Sequence, residues 1–454
     1  MPRFHDFFLF TLQKLCLQLS FFNLSLLLKG FPVKETNKLL KSIQKLNEVD
    51  YSEYLKRQKQ DIVKYHLEHN TFYQNFAKSA NASNWERLPV MTKRDLQQPL
   101  AQRLSKGYSK QNIYKNKTSG SSGDPFIFAK DKFCHALTWS IFMDRYQWHN
   151  INLNTSKQAR FYGIPLDKIG YNKERLKDAL GNRYRFSVFN LSDAELEKNI
   201  VTFKNKAFEY INGYTSSIVQ FAQFLRKQNI ILKQICPSLK LCIITSEMLF
   251  ENDRKLLEEQ FGIPVVNEYG AAELGLIAFE NRSNQWIINN EDLYIEILDD
   301  NNNALPLGET GRIVITSLYN KAHPFIRYDI GDIGALSENS TLKTPILKHL
   351  TGRTNDLIRL PSGKKAAGLT FYYVTKSIIE DSGRVKEFII EQITLHQFKI
   401  CYVSETELTK EIKRKIKTSI DNYLETGLDV LFERKNTIQR EKSGKLKQFK
   451  SALQ

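Results

Sequence analysis

The sequence predicts an α/β protein that has a large N-terminal domain with mixed and parallel sheets and a small α+β C-terminal domain. Three observations predict this class: a strand, helix, strand unit, an antiparallel pair of strands after it, and a final segment with its own strands and helix. The first unit consists of the apolar run Leu239–Ser246, the helical pattern Phe250–Phe261 and the apolar run Pro264–Gly270. Two apolar runs joined by a helix within about 30 residues are typical of a buried parallel sheet.

The other two observations concern the second half of the chain. Residues 292–300 and 311–318 are strand patterns joined by a loop with a proline and a glycine, which predicts antiparallel pairing. Residues 354–454 contain two strand patterns and a polar helix, which indicates a separate C-terminal domain after an N-terminal domain of residues 1–352. Within that N-terminal domain, residues 1–80 are mostly helical, because apolar positions recur there at spacings of three and four.

The composition indicates a folded chain with a basic surface. Of its 454 residues, 41% are hydrophobic and 25% are charged, which supplies more than one core and excludes a disordered protein. The formal net charge of +17 favours anionic partners such as nucleotides, but no nucleic-acid motif accompanies it, and we predict no nucleic-acid partner. Five scattered cysteines without paired spacing indicate a reducing compartment, which predicts a cytoplasmic protein without a disulfide framework or a zinc site.

The most apolar run of the chain lies at Phe7–Leu28. Lys14 and several amide side chains interrupt it, so it lacks the roughly 20 consecutive apolar residues of a spanning helix, and no small-residue cleavage site follows. Two interpretations remain open. The run forms one or two helices packed on the main body, or a helix within residues 1–30 lies in a membrane surface and makes the protein membrane-associated.

A short loop rich in glycine and hydroxyl groups, TSGSSGDPF, lies at Thr118–Phe126. It is not a Walker-type phosphate loop, because Gly123 is followed by Asp124 and not by lysine. These residues by themselves leave two interpretations. The stretch is a flexible Ser/Gly linker, or it is a loop whose hydroxyls and accessible backbone amides wrap anionic oxygens.

Polar residues follow both strands of the predicted parallel unit. Thr245–Glu247 comes after the first strand, and the segment EYGAAE, Glu268–Glu273, includes the end of the second. Ligands of open parallel sheets bind beyond the carboxyl ends of the strands. The second segment places a tyrosine, a glycine and a carboxylate suited to a hard metal ion in one turn, although an ordinary turn with a solvated glutamate has the same pattern.

These segments and several others follow one another in an order that is specific as a set. In chain order they are LPVMTKRDL (Leu88–Leu96), TSGSSGDPF (Thr118–Phe126), INGYTSSI (Ile211–Ile218), TSEML (Thr245–Leu249), EYGAAE (Glu268–Glu273), LGETGRIVIT (Leu307–Thr316), PFIRYDIGD (Pro324–Asp332), LTGRTNDLI (Leu350–Ile358) and REKSGKLKQF (Arg440–Phe449). The set resembles the adenylate-forming ligase superfamily. Within it, the chain resembles the phenylacetate-CoA ligase family, including relatives encoded with capsular polysaccharide biosynthesis genes.

The resemblance implies a two-step reaction. A carboxylic acid attacks ATP to form acyl-AMP and pyrophosphate, and a thiol, usually coenzyme A, then takes the acyl group. The implied cofactors are ATP, Mg²⁺ and coenzyme A. Relatives of this kind also suggest a homodimer and a C-terminal lid domain that rotates between the two steps.

The resemblance also implies the roles of individual residues. Thr118, Ser119, Gly120, Ser121, Ser122 and Gly123 would hold the β- and γ-phosphates, and Glu273 would hold Mg²⁺. Tyr269 would flank the adenine together with Ser246, Glu247, Gly270 and Ala271, while Asp332 and Arg353 would hold the ribose. Lys445 would be the catalytic residue that brings a positive charge to the carboxylate and α-phosphate. These residue types suit nucleotidyl transfer, which depends on positioning and charge neutralisation.

Some positions depart from the family pattern. Ala272 stands where a hydroxyl is common beside the metal glutamate, Asn355 replaces an aspartate at the hinge, and residues 361–368 differ from the phenylacetate enzymes. Three interpretations of function therefore stay open: an acyl-CoA ligase, an adenylating acyltransferase of surface-polysaccharide synthesis with a sugar or amine acceptor, and a catalytically silent binding protein on the same fold.

The acid pocket is expected near the helix after the phosphate loop, which carries His135, Trp139 and Phe142, and near Gly213–Tyr214. These aromatic residues suit a hydrophobic core equally well. An aryl or medium-length apolar acid is expected by analogy with the family.

Overall fold

The computed structural model describes residues 21–78, 84–118, 126–163, 168–186, 188–353, 357–363, 365–367, 385–440 and 446–453. Among the predicted site residues, those of the phosphate loop after Thr118 and Lys445 lie outside these ranges. Arg353 is described through its backbone.

The helices of the described residues cover both the N-terminal segment and the crossovers between strands. In chain order they are α1 (Phe21–Leu28), α2 (Val33–Gln44), α3 (Glu48–His69), α4 (Thr71–Ala77), α5 (Leu100–Arg103), α6 (Lys132–Gln147), α7 (Lys168–Leu180), α8 (Asp193–Asn205), α9 (Thr215–Lys227), α10 (Leu232–Ile235), α11 (Glu251–Phe261) and α12 (Lys410–Tyr423). Single 3₁₀ turns lie at Trp85–Arg87 and Asp95–Gln97.

The strands of the described residues form five sheets. In chain order they are β1 (Ile113–Lys117), β2 (Ile127–Asp131), β3 (Gln158–Phe161), β4 (Arg183–Phe186), β5 (Tyr210–Tyr214), β6 (Leu241–Thr245), β7 (Val265–Ala271), β8 (Gly275–Glu280), β9 (Trp286–Ile288), β10 (Leu293–Leu298), β11 (Gly311–Ser317), β12 (Tyr328–Leu336), β13 (Leu347–Arg353), β14 (Leu357–Arg359), β15 (Lys365–Ala367), β16 (Val385–Gln392), β17 (Gln397–Ser404), β18 (Asp429–Lys435) and β19 (Phe449–Ser451).

The largest sheet contains seven strands in the order β4-β3-β5-β6-β7-β8-β9. Strands β3 to β7 are parallel, whereas β8 and β9 run antiparallel to their neighbours. Residues of α8, α9 and α11 cover one face in a single apolar cluster, and residues of α6 cover the other. Burial on both faces explains why β6 is apolar from Leu241 to Ile244. The predicted parallel unit of β6, α11 and β7 is confirmed.

Two four-stranded sheets follow in the chain. Strands β10 to β13 form an antiparallel sheet, which confirms the pairing predicted between β10 and β11. Strands β18-β17-β16-β19 form a mixed sheet that packs with α12 around a core of its own. The α/β class with mixed and parallel sheets is confirmed, while the boundary between residues 352 and 354 stays a prediction.

The N-terminal segment is helical from α1 to α4, with α2 packed against α6. Leu26 of α1 is buried, whereas Leu27 and Leu28 are exposed. Within the described ranges, none of the helices combines the length and apolar character needed to span a bilayer. Contact of residues 1–30 with a membrane surface and a homodimer both stay predictions.

Candidate active site

The predicted phosphate loop connects the two strands of a hairpin. Strands β1 and β2 pair antiparallel up to Lys117 and Ile127. Beyond them, the Thr118 amide donates to the carbonyl oxygen of Phe126 at 2.9 Å, and the Phe126 amide donates to Thr118 Oγ1 at 3.1 Å. The loop residues Ser119, Gly120, Ser121, Ser122 and Gly123 lie outside the described residues. Because its two ends are bonded to each other, the stretch joins the two strands of one hairpin.

Side chains at the end of this hairpin bond it to residues that lie just outside two other predicted segments. Asp131, the last residue of β2, accepts a hydrogen bond from an amide in the first turn of α6 and another from the Lys321 amide, both at 2.8 Å. Lys130 is buried and donates from Nζ to Thr138 Oγ1 at 3.0 Å and to the Leu274 carbonyl at 2.9 Å. The hairpin is therefore fixed to the turn that follows Glu273.

The segments EYGAAE and PFIRYDIGD are interlocked by two reciprocal hydrogen bonds. The Tyr269 hydroxyl of the first segment donates to Asp332 Oδ2 of the second at 2.7 Å. The Tyr328 hydroxyl of the second segment donates to Glu273 Oε1 of the first at 3.1 Å. All four residues are buried. Each predicted ligand carboxylate is thus oriented by a tyrosine from the partner segment.

Glu273 has the chemistry of a ligand to a hard cation. The described residues contain no group of three or more His, Cys, Asp or Glu that would hold a metal ion among themselves. A single carboxylate suits Mg²⁺, which takes its remaining ligands from phosphate oxygens and water. The chain turns sharply after this residue at Gly275, which has φ of +96°. Only glycine fits there, because a Cβ would lie 2.6 Å from Thr138 Cγ2.

The residues predicted to flank the adenine lie at the carboxyl ends of β6 and β7. Ser246 is exposed and has φ of +70°, a left-handed conformation that is uncommon for serine. Gly270 is exposed, and a Cβ there would lie 2.8 Å from the Gly275 carbonyl oxygen, so a larger residue would not fit. Ala271 is half-buried beside Tyr269. Their contact with adenine stays a prediction.

Glu247 has a different environment from the one the sequence suggests. Its Oε2 accepts from the Ser216 amide in the first turn of α9 at 2.7 Å, and its Oε1 accepts from the Leu446 amide at 2.9 Å. Burial raises the pKa of Glu247, while these two amides and Arg440 oppose the shift. Its carboxylate therefore joins the large sheet to the C-terminal domain, and its predicted place beside the adenine would involve its backbone.

Further contacts hold the C-terminal domain at the same place. Arg440 donates to Ser216 Oγ and to Glu387 Oε2, each at 3.0 Å. Leu446, which follows Lys445 directly, is the residue bonded to Glu247. On the other side of the site, the backbone of Arg353 pairs with that of Asp332 across β12 and β13.

The aromatic residues expected near the acid pocket pack on one another. His135 stacks on Tyr114 with ring centroids 3.8 Å apart and accepts from Trp139 Nε1 at 3.1 Å. Trp139 in turn contacts Phe142 and Phe22. Burial lowers the pKa of His135 to about 3, so the ring is neutral. These contacts favour a role for the aromatic residues in the hydrophobic core.

Two positioning residues were missed by sequence reasoning. Tyr328 lies within the segment PFIRYDIGD, and its position four residues before Asp332 was a usable signal. Lys130 has no such signal, because its bond to the Leu274 carbonyl joins residues far apart in the chain.

Comparison with known proteins agrees with this geometry. No protein-family model matches the chain. Protein CapK of Staphylococcus aureus is 24% identical over 361 residues, which cover 75% of this chain and 77% of CapK. The phenylacetate-coenzyme A ligase of Pseudomonas putida is 25% identical over 178 residues, 38% of this chain and 40% of that enzyme.

Solved structures share the whole fold. A crystal structure of a 2-hydroxyisobutyryl-CoA ligase in the postadenylation state matches with a TM-score of 0.69 and 16% identity, covering 90% of this chain and 91% of that one. The chain has the adenylate-forming fold and is related to the phenylacetate-CoA ligases. The recognition of this superfamily and family from the ordered segments is therefore confirmed.

Two more structures with the adenylate-forming fold are informative. The same 2-hydroxyisobutyryl-CoA ligase in its thioesterification state matches with a TM-score of 0.55 at 15% identity, covering 89% of this chain and 90% of that one. An amide bond synthetase, McbA from Marinactinospora thermotolerans, matches with a TM-score of 0.53 and 15% identity over 76% of this chain and 70% of that one.

Proposed function

We propose that this protein activates a carboxylic acid with ATP, forming acyl-AMP and releasing pyrophosphate, and then transfers the acyl group to the thiol of coenzyme A. The observation that carries the proposal is the pair of reciprocal bonds from Tyr269 to Asp332 and from Tyr328 to Glu273. These bonds hold two buried carboxylates that suit a ribose and a metal ion, and both tyrosines belong to one apolar cluster with Phe126 at the base of the phosphate hairpin.

Each group has a task in the first half-reaction. Asp332 would accept hydrogen bonds from the ribose hydroxyls, while the hydroxyls and amides of residues 118–123 would hold the β- and γ-phosphates. Glu273 would hold Mg²⁺, which when bound neutralises charge on the phosphates. Tyr269 and Tyr328 keep both carboxylates oriented, so little reorganisation is needed when the nucleotide binds.

The C-terminal domain supplies the remaining positive charge. Leu446 is bonded to Glu247 at the end of β6, and Lys445 immediately precedes it. This contact supports a position for Lys445 near the acid and the α-phosphate in the adenylating arrangement. The closer match to a postadenylation structure than to a thioesterification structure supports the same arrangement.

Pyrophosphate release with a panel of carboxylic acids, with and without coenzyme A, tests the proposal. We expect release with at least one acid and a strong loss in Glu273→Gln, Asp332→Asn and Lys445→Met. Lys445→Met should spare thiol transfer from a preformed acyl-AMP. Asp300→Asn, an exposed carboxylate in the loop after β10, is the matched control and should behave as the wild type. Release with no acid would refute adenylation and favour a binding protein.

A second candidate differs in the acceptor only. CapK matches three quarters of this chain, and an amide bond synthetase has the same fold as this chain. These two similarities support a sugar or an amine as the alternative acceptor of the acyl group, in surface-polysaccharide synthesis. Pyrophosphate release that responds to an amine or amino sugar but not to coenzyme A, with the matching amide or ester found by mass spectrometry, would favour this candidate.

A further inference from the structure

A band of polar side chains crosses four adjacent strands of the large sheet on the face covered by α6. Arg160 of β3 lies opposite Asn212 of β5, and Thr245 of β6 lies opposite Glu268 of β7. Asn212 pairs with the residue two before Thr245, so all four side chains project to the same face. Tyr146 of α6 covers the band, donating from its hydroxyl to Glu268 Oε2 at 2.7 Å.

Part of this band is satisfied by internal hydrogen bonds. Asn212 Oδ1 accepts from the Tyr162 hydroxyl at 3.0 Å and from Gln158 Nε2 at 3.3 Å. Glu268 accepts from Tyr146 and is also bonded by the Thr245 side chain. Asn212 is therefore an ordinary buried amide, but its position keeps the Tyr162 ring in place.

Arg160 is the exception. Its guanidinium lies over the ring of Tyr162, 4.3 Å from the ring centroid. Its Nε is buried and has no hydrogen-bond partner among the described residues. Its positive charge opposes the rise in the pKa of Glu268 that burial causes. A half-buried cation whose Nε has no acceptor is costly, and a polar group that contacts both Arg160 and the half-buried Glu268 would lower that cost.

The band lies where the acyl group of an adenylate would extend. Glu268 and Thr245 directly precede Tyr269 and Ser246, which belong to the predicted adenine site at the strand ends. Because side chains alternate along a strand, Tyr269 faces Asp332 while Glu268 faces α6. An acid whose carboxylate meets the α-phosphate at these strand ends therefore directs its acyl chain toward α6.

The neighbouring features do not supply an apolar pocket instead. His135, Trp139 and Phe142 contact one another and the N-terminal helices. Gly213 has no free space either, because a Cβ there would lie 2.3 Å from the Phe161 carbonyl oxygen. The polar band is the part of this region with unsatisfied chemistry.

We propose that Arg160 and Glu268 select a carboxylic acid whose acyl group carries a hydroxyl, an inference that rests on the proposed adenylation. A hydroxyl accepts a hydrogen bond from the guanidinium and donates one to the carboxylate, so it satisfies both groups without adding charge. An alkyl or aryl acid of the same shape leaves Arg160 Nε without an acceptor and gives Glu268 no donor beyond Tyr146 and Thr245. Sites built to bond a substrate hydroxyl discriminate strongly against the analogue that lacks it.

Matched acid pairs test the inference by pyrophosphate release: 4-hydroxyphenylacetate against phenylacetate, and 3-hydroxybutyrate against butyrate. We expect the wild type to favour the hydroxylated member of at least one pair by about tenfold or more in kcat/KM. In Glu268→Leu and Arg160→Met this ratio should fall below about threefold, and Glu268→Gln should retain part of it because an amide still bonds a hydroxyl.

The controls separate selectivity from folding and from the proposed function. Glu280→Gln changes another buried carboxylate of the same sheet, paired with Arg254 away from α6, and should leave the acid ratio unchanged. ATP binding by calorimetry reports whether each variant is folded. Equal use of both members of every pair by the wild type, or a preference that survives in folded Glu268→Leu and Arg160→Met, overturns the inference alone. Absence of release with every acid overturns the adenylation proposal itself.

Discussion

Removal of one hydroxyl group, in Tyr328→Phe, measures how much the reciprocal bonds contribute to metal-dependent nucleotide binding. The Tyr328 hydroxyl donates to Glu273 Oε1 at 3.1 Å. Hydrogen bonds to charged groups contribute roughly 1.5–3 kcal/mol, and 3.1 Å is long for a bond between two oxygens, which places this one near the lower end. About 1.5 kcal/mol corresponds to roughly a tenfold change in an equilibrium constant.

The assay is calorimetric titration of ATP at a series of Mg²⁺ concentrations, which requires no knowledge of the acid. We expect Tyr328→Phe to raise the Mg²⁺ concentration for half-maximal ATP binding by roughly tenfold, because Glu273 loses the group that orients it. Tyr51→Phe is the matched control. Tyr51 is buried to the same extent, donates its hydroxyl to the Asn290 carbonyl and belongs to a different apolar cluster.

The two variants should lose similar thermal stability, since each removes one buried hydroxyl and its hydrogen bond. Only Tyr328→Phe should change the Mg²⁺ dependence. If both variants bind ATP with the Mg²⁺ dependence of the wild type, the bond to Glu273 has a structural role only. The assignment of Glu273 to the metal would then lose its main support.

Three other perturbations have defined outcomes. Glu247→Gln replaces one of the two acceptor oxygens bonded to Ser216 and Leu446, so we expect acyl-AMP formation to slow by roughly tenfold. Thiol transfer from preformed acyl-AMP should slow less. Equal slowing of both steps would argue against a role of Glu247 in domain orientation. Burial raises the pKa of Asp292 to about 8, so the folded state loses stability as pH rises from near 4 to about 8 and not beyond. In Asp292→Asn the gain in melting temperature over the wild type should grow across that range, and a gain independent of pH would contradict this. Replacing Ser121 and Ser122 by alanine should raise the KM for ATP by roughly tenfold per hydroxyl with the melting temperature unchanged, and an unchanged KM would exclude them from phosphate binding.

Local sequence patterns predict much of the fold and the superfamily of this protein. The apolar runs around α11 predict a parallel unit because a strand buried on both faces needs apolar residues on both, and the order of short segments identifies the superfamily without any structure. The resemblance that those segments carry implies tasks for Asp332 and Glu273 as ligand carboxylates.

Local patterns do not predict which residues far apart in the chain contact each other. Tyr269 and Asp332 are 63 residues apart and Tyr328 and Glu273 are 55 apart, so no periodicity reports that they touch. Glu247 stands in a segment that resembles an adenine-side turn, yet its carboxylate contacts a helix start and the C-terminal domain. Periodicity describes one strand at a time, whereas hydrogen bonds depend on which strands and helices become neighbours. Strand pairing alone sets Arg160 and Glu268 on one face beneath α6, and with it the polarity of the region where the acyl group would lie.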